Sequence, residues 1–94
     1  MSSRITVADK SLSSRYEITV DGELAGFLTY RLSPELITFV HTEIDPEREG
    51  EGLGGDLVQY ALDDARERGL GVRPVCPFVA AFINRHMEYA DLVV

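Results

Sequence analysis

Residues 45–69 read DPEREGEGLGGDLVQYALDDARERG, and the change of period halfway along this stretch decides the fold. Gly50, Gly52, Gly54 and Gly55 crowd its first half. From Leu53 onward, Leu57, Val58, Ala61, Leu62 and Ala65 recur at helical spacing, with Asp56, Gln59, Asp63, Arg66 and Glu67 opposite. That is the pattern of an amphipathic helix with one buried side. Gly69 ends it, and Arg66 and Arg68 stand where cations meet the negative end of the helix dipole. A glycine-rich turn running into a helix N-terminus presents backbone N–H groups and a positive dipole end, which suits an anion. Glu49 and Glu51 sit awkwardly beside such a ligand, but their side chains can point outward while their amides turn inward.

Upstream the period is two. Tyr16, Ile18 and Val20 alternate with Glu17 and Thr19, Asp21-Gly22 supplies the positive-φ pair of a type I′ turn, and β-formers resume from Leu24 to Tyr30. Pairing Val20 with Glu23 puts Tyr16, Ile18, Ala25 and Phe27 on one face, the expected core side. Ser33-Pro34-Glu35 breaks the run, and LITFVHTEI, residues 36–44, restarts it as the third strand of an antiparallel meander. Ile5 to Val7 reads as a further edge strand, followed by the loop DKSLSS. After the helix, GVRPVC is a short strand that Pro74 confines to an edge, a bulge or one free side. Pro77 opens a second helix, PFVAAFINRH, and the apolar end of MEYADLVV is expected to dock.

A chain of 94 residues, 45% of them apolar, has room for one domain with a real core, spanning residues 1–94. Cys76 is the only cysteine, so no internal disulfide forms, and the opening residues are polar. Both features point to a reducing, cytoplasmic setting. The longest clean apolar stretch, Phe78 to Ile83, is far short of the roughly 20 residues that span a bilayer. No membrane partner is expected. The net charge of −7 argues against nucleic acid, whose phosphates need clustered cations, and suits a cationic or amine partner. The same acidity also serves simply to keep a small domain soluble.

Gly50 to Gly55 formally spell G-x-G-x-x-G. The dinucleotide fingerprint, however, belongs to the first strand of a parallel βαβ unit with an acid about 20 residues on, whereas a meander precedes it here. A phosphate loop of the G-x-x-x-x-G-K-[ST] type fails because Asp56 occupies the lysine position. What fits is a strand, a glycine turn and a helix on a mixed sheet, with main-chain N–H groups cradling a diphosphate.

On these residues the chain resembles the GNAT superfamily of acyl-CoA-dependent N-acyltransferases. The family signature, Arg or Gln-x-x-Gly-x-Gly or Ala, aligns with Glu49-Gly50-Glu51-Gly52-Leu53-Gly54 after an aspartate-proline at Asp45-Pro46, with Glu49 departing from the usual Arg or Gln. VHTEIDPE, GEGLGGDLV and VCPFVAAFINRHMEYADLV resemble the short single-domain branch of about a hundred residues, covering residues 40–94. The resemblance implies an α+β, trimmed GNAT fold: an antiparallel meander sheet, a glycine loop and helix, a splayed fifth strand and a C-terminal helix. It implies that the pantetheine arm of coenzyme A enters between the fourth strand, Leu36 to Ile44, and the fifth. The cofactor-binding residues would be Ile44, Glu49, Gly50, Glu51, Gly52, Leu53, Gly54 and Gly55, with acetyl-CoA as cosubstrate and no metal.

Acyl transfer to an amine needs a neutral amine, a polarised carbonyl and an acid for the leaving thiolate. His41 and Glu43 share one side of the fourth strand, and either could take the ammonium proton. Each also has a plain structural reading, a hydrogen-bonded sheet histidine and a solvated strand residue. Cys76 stands just ahead of a helix N-terminus, a place that can depress a thiol pKa. It could act as acid or as nucleophile, or be a small buried hydrophobe. The superfamily's usual acid is a tyrosine in the following helix; here that helix has Phe78, Phe82 and Asn84, and Tyr89 lies beyond it. The expected activity is transfer of an acetyl group to the amine of a small molecule or protein lysine. The alternative is a module that binds coenzyme A or a protein without turnover. The chain lacks room for the helices and strands that cover the family's acceptor site, so a second subunit, as in a homodimer, or a protein substrate would complete the groove.

Overall fold

Two backbone irregularities in the meander determine which side chains face the helices and which face away. A computed structural model describes residues 3–94 of the chain. Five strands form one sheet in sequential order: β1 (Ile5–Lys10), β2 (Arg15–Val20), β3 (Glu23–Ser33), β4 (Leu36–Ile44) and β5 (Gly71–Pro74). The first four are antiparallel and β5 lies parallel to β4. Helices α1 (Leu53–Glu67) and α2 (Pro77–Arg85) pack against one face.

The hairpin turns at Asp21 and Gly22 with φ of 51° and 85°, and Val20 pairs with Glu23 as the type I′ geometry requires. A bulge then intervenes. Thr19 pairs with Leu24 but Ile18 pairs with Gly26, so Ala25 is the extra residue and the facing of β3 inverts beyond it. Tyr16, Ile18, Val20 and Ala25 are buried as expected, but Phe27 is not on the core face; Leu28 and Tyr30 take that place. Phe27 lies on the opposite side under the Arg15 guanidinium, 4.5 Å from the ring centroid.

β4 carries the second bulge. Tyr30 pairs with Phe39 and Thr29 with His41, leaving Val40 unpaired and reversing the alternation. Ile37 and Phe39 therefore point into the core. Past the bulge it is Thr42 and Ile44, opposite Leu28 and Gly26, that turn toward the helices.

α1 lies on the sheet through Leu53, Leu57, Val58, Ala61, Leu62 and Ala65, all buried, each fully buried leucine contributing about 2 kcal/mol by transfer. It stops in a Schellman arrangement: Gly69 has φ of 71°, and the Leu70 amide donates to the Ala65 carbonyl at 2.9 Å. The tail docks through Tyr89, Leu92 and polar contacts, while the side chains of Val93 and Val94 at its apolar end stay exposed. Arg66 holds Asp91 through two hydrogen bonds of 2.9 and 2.8 Å and the Glu88 carbonyl at 2.8 Å, while the Val94 amide donates to Val72. No helix among the described residues is long and apolar enough to cross a membrane.

Candidate functional site

β4 and β5 stay together for only four residue pairs, from Leu36 with Gly71 to Phe39 with Pro74. One further hydrogen bond, from the Cys76 amide to the Phe39 carbonyl at 2.8 Å, closes the ladder. Pro74 has no N–H to extend it. Beyond that point β4 continues to Ile44 with no strand neighbour on this side among the described residues. The Asp45 amide donates to Ala25 across the sheet, so by strand alternation Glu43 and His41 also turn their backbone groups toward β3. Thr42 and Ile44 then present theirs to the open edge.

That edge forms one wall of a cleft of about 510 Å³. Thr42 and Ile44 line the strand side, and Gly50, Gly52, Leu53, Gly54 and Gly55 the opposite wall. Phe78 of α2 stands between them. Gly52 is the N-cap of α1 with φ of 79°, and Gly50 has φ of 88°, conformations that an L side chain adopts only with strain. The first intrahelical bond runs from the Asp56 amide to the Gly52 carbonyl, and no side chain among the described residues caps the helix. The N–H groups of Leu53, Gly54 and Gly55 thus have no acceptor within the helix, at its positive dipole end. This donor set fits a diphosphate.

Gly54 has a second reason to be glycine. A Cβ there would lie 2.6 Å from Phe78 Cζ, so the bare backbone is what lets α1 and α2 approach at the mouth of the cleft. At the far end of the gap the buried Cys76 thiol meets the Thr42 hydroxyl at 3.3 Å. Cys76 is the N-cap of α2.

Not all the candidate residues come together. His41 and Glu43 do share a side, with Nε2 and Oε2 3.6 Å apart. Both are well exposed on the face opposite the cleft-lining Thr42 and Ile44, next to Phe27 and not among the cleft walls. Tyr89 is committed elsewhere: its hydroxyl donates to Asp63 at 2.7 Å, and burial together with that carboxylate pushes its pKa up to about 12. Three residues of the cleft escaped the sequence reading. Thr42 and Phe78 looked like ordinary strand and helix residues. Arg48, which immediately precedes the glycine loop, was masked by the glutamates around it, yet it lines the cleft.

Comparison with known proteins agrees with this geometry. The model of the GCN5-related N-acetyl-transferase family matches residues 15–92. The chain belongs to this family. Streptothricin acetyltransferase from Streptomyces lavendulae is 39% identical over 56 residues, which are 57% of this chain and 30% of that protein. The match thus spans about a third of the curated relative's length. The NMR solution structure of a GCN5-like protein from Staphylococcus aureus superposes with a TM-score of 0.70 at 24% identity, covering 97% of this chain and 87% of that one. The second likeness is one of fold. The family match and this likeness support the α+β GNAT architecture.

Proposed function

We propose that the chain is an N-acetyltransferase that binds acetyl-CoA in the cleft and transfers its acetyl group to an amine. The observation that carries this reading is the combination of the unpaired edge of β4 with the uncapped N-terminus of α1 on opposite walls of one cleft. The free N–H groups of Leu53, Gly54 and Gly55 would hold the diphosphate, and the edge groups of Thr42 and Ile44 would pair with the amides of the pantetheine arm. Bound there, the thioester supplies an activated acetyl carbonyl.

The remaining chemistry belongs to side chains around the parted strands. The exposure of His41 and Glu43 on the far sheet face supports an approach of the acceptor from that side. There Glu43 or His41 takes the proton that the ammonium must shed before its nitrogen attacks the carbonyl. As the C–N bond forms and the C–S bond breaks, the thiolate leaves toward Cys76 and Thr42, whose S–H and O–H can donate to it, and the second proton shed by the acylated nitrogen replaces, through solvent, the one given up. Acceptors of this class include amine-bearing small molecules and protein lysines, and the net charge of −7 favours cationic ones. A cytoplasmic setting agrees with the buried free thiol.

A second reading, binding of coenzyme A without turnover, is favoured by one observation: the candidate bases point away from the cleft that would hold the thioester. Calorimetry with acetyl-CoA, followed by detection of released thiol with a panel of polyamines, amino sugars and lysine peptides, separates the two. Binding with amine-dependent release supports transfer, binding alone supports the second reading, and no heat at millimolar ligand removes both.

A further inference from the structure

The acidic residues around the glycine loop have a partner in Arg48. Arg48 lines the cleft, and its side chain is only 28% exposed. Two carboxylates flank it from opposite sides: Glu51 of the loop, with Oε1 3.7 Å from Nη1, and Glu23 at the start of β3, with Oε2 3.9 Å from Nη2. Both contacts are too long for hydrogen bonds. They neutralise the arginine without saturating its five N–H donors. Glu23 and Glu51 are themselves 80% and 48% exposed, so water solvates them readily when the pairing is broken. A loosely held arginine beside the free N–H groups of Leu53, Gly54 and Gly55 is a group waiting for a better acceptor.

We propose, resting on the acetyl-CoA reading above, that Arg48 is the side-chain ligand of the diphosphate and that Glu51, with Glu23, guards it in the free protein. Binding exchanges partners: the diphosphate takes the guanidinium in short charge-assisted contacts, and the two carboxylates are released to solvent. The departure of Glu49 from the Arg or Gln of the family signature is then compensated one position earlier. The acids that seem misplaced beside an anion site act through the arginine. They lower affinity by competing for it.

The test is a titration of wild type, R48A, E51Q and the double variant R48A/E51Q with acetyl-CoA and with dephospho-CoA, each variant's folding being checked by circular dichroism. Loss of one charge-assisted contact predicts R48A to bind about tenfold more weakly or worse. That loss should persist with dephospho-CoA, which keeps the diphosphate and lacks the 3′-phosphate. E51Q should bind several-fold more tightly, and the gain should vanish in R48A/E51Q. An unchanged R48A, a penalty confined to the ligand carrying the 3′-phosphate, or an E51Q gain that survives without Arg48 overturns this inference while leaving the cofactor reading intact. Failure of the wild type and every variant to bind overturns both.

Discussion

The Thr42 hydroxyl and the Cys76 thiol meet at 3.3 Å across the point where β4 and β5 part. Among the described residues the pair is the side-chain hydrogen bond that spans the root of the gap. It lies where the bulge at Val40 has turned Thr42 inward and where the turn after Pro74 has brought Cys76 to the N-cap of α2. If Cys76 protonates the departing thiolate, Cys76→Ala should leave acetyl-CoA affinity within about twofold and lower turnover by about 100-fold or more. Separate measurement of binding by calorimetry and of turnover by thiol release checks this. Equal turnover in the variant assigns Cys76 to packing, and an acetylated Cys76 peptide in mass spectra of the wild type would assign it to nucleophilic catalysis instead.

The exposed pair on the far face gives a complementary expectation. His41 and Glu43 have most of their side chains in water, so His41→Ala and Glu43→Gln should change stability by less than about 0.5 kcal/mol. Whichever serves as base should lower turnover about 100-fold without affecting acetyl-CoA binding. Thermal midpoints and steady-state rates on the two variants decide which one it is.

Glycine substitutions separate backbone strain from packing. A Cβ on Gly26 would lie 2.5 Å from Ile44 Cδ1 and 2.6 Å from the Glu43 carbonyl. The latter is backbone and cannot step aside, so Gly26→Ala should cost about 2 kcal/mol or more. Gly52 faces open space but holds φ of 79°, and Gly52→Ala should cost about 1 kcal/mol while distorting the anion cradle. Gly54→Ala should have little net effect on stability, the helix gaining about 1 kcal/mol of propensity while the ring of Phe78 is displaced. It should weaken acetyl-CoA binding by moving that ring into the cleft. Denaturant melts and ligand titrations on the three variants read both effects.

Alkaline pH should unfold the protein through its tyrosines. Tyr16 donates to Asp64, Tyr30 to Asp9 and Tyr89 to Asp63. Burial first, and the acceptor carboxylate next, raise Tyr30 and Tyr89 from 10.0 to about 12 and Tyr16 further still. The folded state therefore binds these protons more tightly than the unfolded chain. Their stabilisation is complete below pH 10.0 and is lost as pH rises toward 12 and beyond. Chemical denaturation midpoints should be flat below that window and fall within it, with phenolate absorbance appearing together with unfolding. Absorbance that rises fully in a still-folded protein would contradict the assignment.

Much of this architecture was legible from residue order. The Asp21-Gly22 turn, the limits of β4, the buried stripe of α1 and the glycine turn ahead of it follow from local rules that tertiary contacts did not override. Phe27 was misplaced because the extra residue at Ala25 leaves no local signal in a run of β-formers, and one added residue reverses every side chain beyond it. The bulge at Val40 was equally invisible, and with it the inward turn of Thr42. Arg48 was obscured differently. In sequence it is one cation among acids, and only the fold shows that it borders the cleft while Glu51 and Glu23 flank it. The distance between Thr42 and Cys76, 34 residues apart in the chain, likewise depends on where the strands part.

The central claim is that the free amides at the start of α1 and the open edge of β4 grip one ligand. Amide chemical shifts of the isotopically labelled protein titrated with acetyl-CoA test it most directly. The account predicts that the largest changes fall on Thr42, Ile44, Leu53, Gly54 and Gly55, while the amides of β1 stay still. Saturating shifts elsewhere, or an unmoved spectrum at millimolar acetyl-CoA, would contradict it.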